Sequence, residues 1–377
     1  MSDGINKGRI RRLGYNTASS FIFQGATIVC GFILPRLILQ RFGSNVNGLV
    51  NSITQFLQVV SFLEMGVGQV VQSALYKPLA QRNLQQISQI IASASKFFKR
   101  LAIILLVYVF ILIIAYPLIV AKDFGWMYTA LLISAMCISS FAQYYFGIVD
   151  CLLLISDQRG YIQYTAQTIT LILNTAACAI LIQVGASIHI VKLTTSVIYL
   201  ARPLALRLYV NNHYQIDRKI QYSGEPIQQK WNGLAQHIAT IVLDSTDSIV
   251  LTAFSTFANV SIYSVYHLVL YGVRQIFQAA TNGMRSLFGE LWAKREMNTL
   301  YTLFQKFEWV MHNGTVFIFG CTGMLAVPFV SVYTKGVTDA NYIQPLFAAL
   351  LALAHGGFCL RIPYNMIIIS GGHYKET

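Results

Sequence analysis

Apolar residues in this chain come in blocks of about twenty, separated by short polar stretches, with no strict alternation along them. A bilayer core of about 30 Å takes roughly 20 helical residues. That window places ten spans, near 14–35, 47–75, 101–120, 126–149, 161–183, 187–209, 231–254, 259–284, 309–333 and 342–370. The runs are too long and too weakly alternating for barrel strands. The pattern predicts an all-α integral membrane protein of about ten transmembrane helices.

Between the spans, one set of connections is short: about ten residues around 36–46, then a handful near 121–125, 184–186, 255–258 and 334–341. The other set is longer and amphipathic. Residues 79–100 (LAQRNLQQISQIIASASKFFKR) place Leu84, Ile87, Ile91 and Ser95 on one helical face, which suggests a helix lying at the membrane interface or a solvated linker. An internal repeat is also visible. "SALYKPLAQRN" (73–83) and "SLFGELWAKRE" (286–296) align without gaps at an offset of 213, pairing Ser73 with Ser286, Ala80 with Ala293 and Arg82 with Arg295. The two copies close the second and the eighth span, six spans apart, so they share one orientation. Parallel halves of this kind are a transporter architecture. The expected organisation is an N-terminal six-helix bundle (1–210), a linker (211–230), and a second bundle (231–377) with four of its six helices.

Composition agrees: 55% of the residues are hydrophobic and 11% charged, against about 25% charged in soluble domains. The net charge of +13 could suggest a nucleic-acid binder, but the cations sit in short clusters between apolar runs. With the N-terminus cytoplasmic, nineteen Lys and Arg fall in inside segments and four in outside loops. That bias predicts a cytoplasmic N-terminus and an even number of spans. Arg9, Arg11 and Arg12 precede a first run long enough to span, with no small-residue cleavage site behind it, so no removable signal peptide is expected. Six cysteines (Cys30, Cys137, Cys151, Cys178, Cys321, Cys359) all fall within spans and form no CxxC pair. They read as small buried hydrophobes, with neither metal nor disulfide implied.

Some charges lie where lipid should exclude them. In "WNGLAQHIATIVLDSTDSIVLTAF" nine strong apolar residues contribute roughly −4.5 kcal/mol, and two aspartates cost roughly +6. Such a span must turn its polar side to protein or water. His237, Asp244 and Asp247 fall within about 80° of arc. In the eighth span His267, Tyr271, Arg274 and Gln278 share a face. Asn51, Gln55 and Gln58 form a stripe in the second span, with Glu64 nearer its far end beside Gly66 and Gly68. The tenth span carries Arg361 two residues before Pro363. Lys192 and Arg202 flank the sixth span, positioned to snorkel to the two interfaces. One reading is structural: Asp244 or Asp247 neutralises Arg274 across a packed interface. The other is a hydrophilic cavity, in which arginines at membrane depth suit an anionic ligand.

Catalytic motifs are missing. The chain has no GxxxxGK[ST] loop, no HExxH, no GxSxG and no carboxylate pair in a large outer loop. An enzyme is disfavoured.

The stretch "CGFILPRLILQRFGSNVNGLVNSITQFLQVVSFLEMGVGQVVQSALYKPLA" (30–80) resembles the start of bacterial polysaccharide-unit flippases. These are the Wzx-like O-antigen and capsule exporters of the multidrug/oligosaccharidyl-lipid/polysaccharide (MATE-like) superfamily. The features that carry the resemblance are Leu34-Pro35-Arg36, Phe42-Gly43, Asn47-Gly48-Leu49 and Leu63-Glu64-Met65-Gly66-Val67-Gly68. "SLFGELWAKRE" and the closing "SGGHYKET" are similar to later family segments. The resemblance implies two six-helix bundles around a cavity that opens alternately to each side. It implies movement of undecaprenyl-pyrophosphate-linked oligosaccharide across the inner membrane, driven by Na+ or H+ rather than by a bound cofactor. The expected partners are the lipid-linked oligosaccharide, the membrane and the polysaccharide polymerase machinery. On that footing Arg274, Arg361 and Arg36 are candidates for the pyrophosphate. Asp244, Asp247, Glu64 and His237 are candidates for the coupling ion or for countercharges. Glu64 leans towards a countercharge, with Gly66 and Gly68 permitting close helix approach. Ten spans are two fewer than the family's usual number, and "GGHYKET" reads as a connection into an eleventh. A cation-coupled multidrug antiporter and a peptidoglycan-precursor flippase are the alternatives.

Overall fold

The computed structural model describes residues 2–370 except 59–60, 121–123, 219, 222–223, 225, 228–245, 248 and 294. Within helices it leaves out the side chains of 2–13, 61–66, 69, 80, 117–120, 279–280, 282–283, 285–287, 289–290, 293 and 369–370. Among the described residues the chain is helical, with no strand. The elements are α1 (Ser2–Gln58), α2 (Ser61–Gln81), α3 (Leu84–Val120), α4 (Trp126–Ala142), a π-helical turn (Gln143–Gly147), α5 (Ile148–Ser156), α6 (Gly160–Gln183), α7 (Ile188–His213), α8 (Phe257–Ala293), α9 (Met297–Tyr333) and α10 (Pro345–Ser370). Six stretches among the described residues are long and apolar enough to cross a membrane: Gly14–Gln58, Leu84–Tyr116, Trp126–Ser156, Gly160–Gln183, Met297–Tyr333 and Pro345–Ile368. This is a multi-pass membrane protein.

Helix ends differ from the predicted spans in ways the backbone explains. α1 runs through the first predicted span and into the second, bending at Gly43 (φ 81, ψ 176), a conformation that only glycine adopts without strain. The rest of the second span belongs to α2. The amphipathic stretch 79–100 forms no separate interfacial helix: from Leu84 onward it is the first part of α3, because no proline or glycine interrupts it before the apolar run. The fourth span runs through α4, the π-helical turn and α5. The seventh span lies largely outside the described residues; 249–254 are helical.

The chain divides into two compact units, Met1–Phe42 with Leu49–Phe257, and Gly43–Gly48 with Ala258–Thr377. In the first unit, the connections after α5 and α7 lie at one end. There Asn16 holds Gln158 and Tyr161 (2.9 and 2.7 Å), and the Tyr214 hydroxyl donates to Asp157 (2.6 Å). At the other end Phe124 stacks on Tyr128, which meets His189, and Phe124 also meets Phe257 edge-on. An aromatic layer of this kind suits a membrane interface. Gly68 is buried on α2, where an added Cβ would stand 3.5 Å from Leu152 of α5, so the two helices approach closely there. Five cysteines are buried and Cys321 is half-buried; none forms a disulfide.

In the second unit, Phe288, Leu291, Leu300 and Met366 form a buried cluster around the α8–α9 turn and the end of α10. α9 and α10 pack through small residues, with Gly356 against Phe319 and Gly323 against Ala352. At the opposite end a relay of hydroxyls runs from Asn47 through Ser261 (2.7 Å), Tyr342 (2.8 Å) and Ser44 (2.7 Å) to Asp339 (2.6 Å).

The offset of 213 reappears in the backbone. Shifting the start of α3, Leu84, by 213 gives Met297, the start of α9. The repeat seen over eleven residues therefore includes the start of the helix that follows each copy.

Candidate functional site

Each unit carries a polar cluster among its helices. In the first, a cavity of about 350 Å³ lies among α1, α4, the π-helical turn and α7. α7 contributes Lys192, Thr195, Ser196 and Tyr199; α1 contributes Thr54 and Gln58; α4 and the turn contribute Ser139, Ser140 and Tyr144. The π-helical turn inserts one extra residue per turn, a distortion that often marks functional positions. The turn also needs Gly147, where an added Cβ would stand 2.5 Å from the Pro203 Cβ of α7.

Lys192 is the one charged residue among those lining the cavity. It is half-buried and makes no hydrogen bond or ion pair with any described side chain. Its neighbours are engaged. Ser196 donates to the Ala135 carbonyl (2.6 Å), Thr195 meets Cys178 (3.3 Å), and Asn174 reaches Tyr199 (3.4 Å). One turn on, Arg202 lies over the Tyr199 ring (5.1 Å) and donates to Thr170 (3.3 Å). Lys192 therefore lines the cavity, a placement not read from the sequence. The missed signal was periodic: Lys192, Thr195, Ser196 and Tyr199 fall at i, i+3, i+4 and i+7, one face of α7.

In the second unit, α8 and α10 bring Arg274 and Arg361 to one ring. The Arg274 guanidinium lies 4.2 Å from the centroid of Phe358 and 4.8 Å from that of Tyr271, while Arg361 lies 5.4 Å from Phe358. Arg274 is 6% exposed, and Arg361 is exposed. Arg274 stands thirteen residues from Ser261, about 20 Å along the helix. Along the predicted stripe His267 stacks on Tyr271 (5.1 Å), and Tyr263, not part of that stripe, stacks on His267 (5.3 Å), with His355 of α10 beside it.

The remaining sequence candidates are dispersed. Arg36 is half-buried on α1, next to Pro35. Asp247 is exposed in a helical segment of the first unit. Asp244 and His237 lie outside the described residues, as does the side chain of Glu64, whose backbone is part of α2. One carboxylate is buried among the described residues: Asp150, bound by Arg218 at 2.5 Å.

No family model matches the sequence, and no curated protein matches it. Solved structures do. The chain superposes on the inward-facing conformation of a multidrug resistance MATE family transporter of the MOP superfamily with a TM-score of 0.58 and 13% identity. That match covers 96% of this chain and 86% of the other. It also matches a MATE structure in the bent conformation, with a TM-score of 0.51 and 12% identity over 96% of this chain and 85% of the other.

The fold is MATE-like. At such identities the MATE likeness concerns the fold, so the polar residues must be read from their own surroundings.

Proposed function

We propose that this chain is a transporter that moves an anionic lipid-linked oligosaccharide, of the undecaprenyl-pyrophosphate class, from the cytoplasmic to the outer leaflet by alternating access. The observation that carries the reading is the sign of the embedded charge. Among the described residues Lys192 faces an internal cavity, Arg202 and Arg274 lie within helices, and the one buried carboxylate is committed to Arg218. A pyrophosphate crossing a hydrocarbon core of about 30 Å loses its hydration, at a cost far beyond what the sugar or lipid could return. Fixed cations and hydroxyls along the path replace that hydration.

Arg274 and Arg361 are the proposed pyrophosphate contacts, with Arg36 third. Guanidinium forks suit phosphate oxygens. Asp247, Asp244, Glu64 and His237 are proposed for a coupling Na+ or H+, or for countercharges. The site would lie in a bacterial inner membrane, with the N-terminus cytoplasmic.

A second reading is a cation-coupled multidrug antiporter, favoured by the multidrug resistance transporter among the structural neighbours. Reconstitution separates the two. Proteoliposomes holding the full chain and a lipid-linked oligosaccharide should make the glycan accessible to an external lectin. A chain that leaves the glycan sealed inside but exchanges a cationic dye for protons is the antiporter.

A further inference from the structure

A second pocket, of about 560 Å³, opens at the end of the first unit where α3 begins and α7 has ended. Its described lining includes Ser95, Lys96 and Lys99 from α3, and Arg218, Ile220 and Gln221 from the segment after α7. That segment is fastened to the helices around it. The Asp217 amide donates to Ser88 of α3 (3.2 Å), and Arg218 is held by the buried Asp150 carboxylate at 2.5 Å. Lys99 lies 5.4 Å from the ring of Tyr145. Among the described residues, three cations from two chain segments thus converge on one opening, and Asp150 engages Arg218.

Its position relative to lipid follows from α3 itself. Ile103, Val107, Phe110 and Ile114 are exposed, at the spacing of one helical face. Lys96 and Lys99 continue that face at i−7 and i−4 from Ile103. They lie about 10 Å and 6 Å beyond the start of the apolar stripe, at the depth of the headgroup layer. A lipid could lay its acyl chain along Ile103, Val107 and Phe110 with its phosphate among the cations. Basic pockets at this depth between membrane helices recognise anionic headgroups.

We propose that this pocket binds the phosphate of an anionic phospholipid, with Lys96 and Lys99 as the recognising cations and Arg218 as a fixed wall. The site lies apart from the cavity around Lys192 and does not depend on what the protein transports.

The test titrates the purified full chain with phosphatidylglycerol or phosphatidylcholine and reads bound lipid by native mass spectrometry. Phosphatidylglycerol should bind at least tenfold more tightly than phosphatidylcholine. Lys96→Gln with Lys99→Gln should cost it about thirtyfold, at roughly fivefold per lysine, and leave phosphatidylcholine unchanged. Arg100→Gln serves as a control with wild-type affinity, and Lys96→Gln alone, expected to lose about fivefold, replaces the double variant should that fail to fold. Equal binding of the two lipids, or full phosphatidylglycerol affinity in the variants, overturns the proposal. Displacement of phosphatidylglycerol by stoichiometric inorganic pyrophosphate also overturns it, because the pocket would then read free phosphate.

Discussion

Arg82 and Arg295, 213 positions apart, adopt the same left-handed backbone conformation (φ 54 and 58) and close their helices with the same pair of hydrogen bonds. Arg82 N–H donates to Leu79 O and Asn83 N–H to Pro78 O; Arg295 N–H donates to Trp292 O and Glu296 N–H to Leu291 O. Each donor and acceptor in the first set maps onto its counterpart in the second at that offset. This is a Schellman closure, and a non-glycine residue at its left-handed position is strained. Arg82→Gly and Arg295→Gly should each stabilise the chain by about 0.5–1 kcal/mol, after the entropy glycine adds to the unfolded state is deducted. Arg→Val at either position should destabilise. Thermal unfolding midpoints in detergent check both.

The bend in α1 makes a second prediction. Ser44 donates its amide and its hydroxyl to the two Asp339 oxygens, both at 2.6 Å, and Gly43 precedes it at φ 81. A Cβ on Gly43 would stand 2.7 Å from Asp339 Oδ2. Gly43→Ala should therefore lose about 1–3 kcal/mol from strain and displacement of the carboxylate. Asp339→Ala, at an exposed position, should lose about 1–2 kcal/mol. The double variant should lose less than the sum, because both act on one contact.

Gly147→Ala tests the π-helical turn. With Pro203 Cβ at 2.5 Å and Gln143 Oε1 at 3.0 Å from the added atom, α7 must move. The expected cost is about 1–3 kcal/mol. Transport should fall as well, since the turn and α7 both line the cavity of Lys192. A variant with wild-type stability would show that α7 yields freely there.

Lys192→Met removes the charge from the cavity without breaking a hydrogen bond or ion pair to any described side chain. Stability should change by under about 1 kcal/mol, while glycan export should fall at least tenfold. Lys192→Arg should retain part of it. Wild-type export in Lys192→Met would remove this cavity from the transport path.

Arg274 and Arg361, the proposed pyrophosphate contacts, offer a test of cargo. With both changed to alanine, export of a pyrophosphate-linked glycan should be lost and any efflux of cationic drugs should survive. Retained glycan export would sink the arginine assignment.

Much of the fold was legible because lipid leaves few choices: a chain must satisfy its backbone within each span, and length and hydropathy then mark the helices. The repeat was legible because the turn at Arg82 and Arg295 kept its arginine, with Ala80 and Ala293 two residues before. Helix ends were less so. The continuation of α3 back to Leu84 depends on no signal stronger than the absence of a breaker, and the bend at Gly43 is set by Asp339, nearly three hundred residues away. Of the site, Arg274 with Tyr271 and His267 was readable from helical spacing. That Arg361 meets the same Phe358 was not, because it depends on the packing of α8 against α10. That Lys192 lines a cavity was not read, although the polar stripe it shares with Thr195, Ser196 and Tyr199 was already in the sequence.

The most direct test of glycan translocation is the sidedness of the lipid-linked oligosaccharide in cells lacking this protein, measured with and without the chain restored. The account predicts accumulation on the cytoplasmic leaflet, relieved when the chain returns. No accumulation in its absence would contradict it and leave the multidrug antiporter as the reading of this fold.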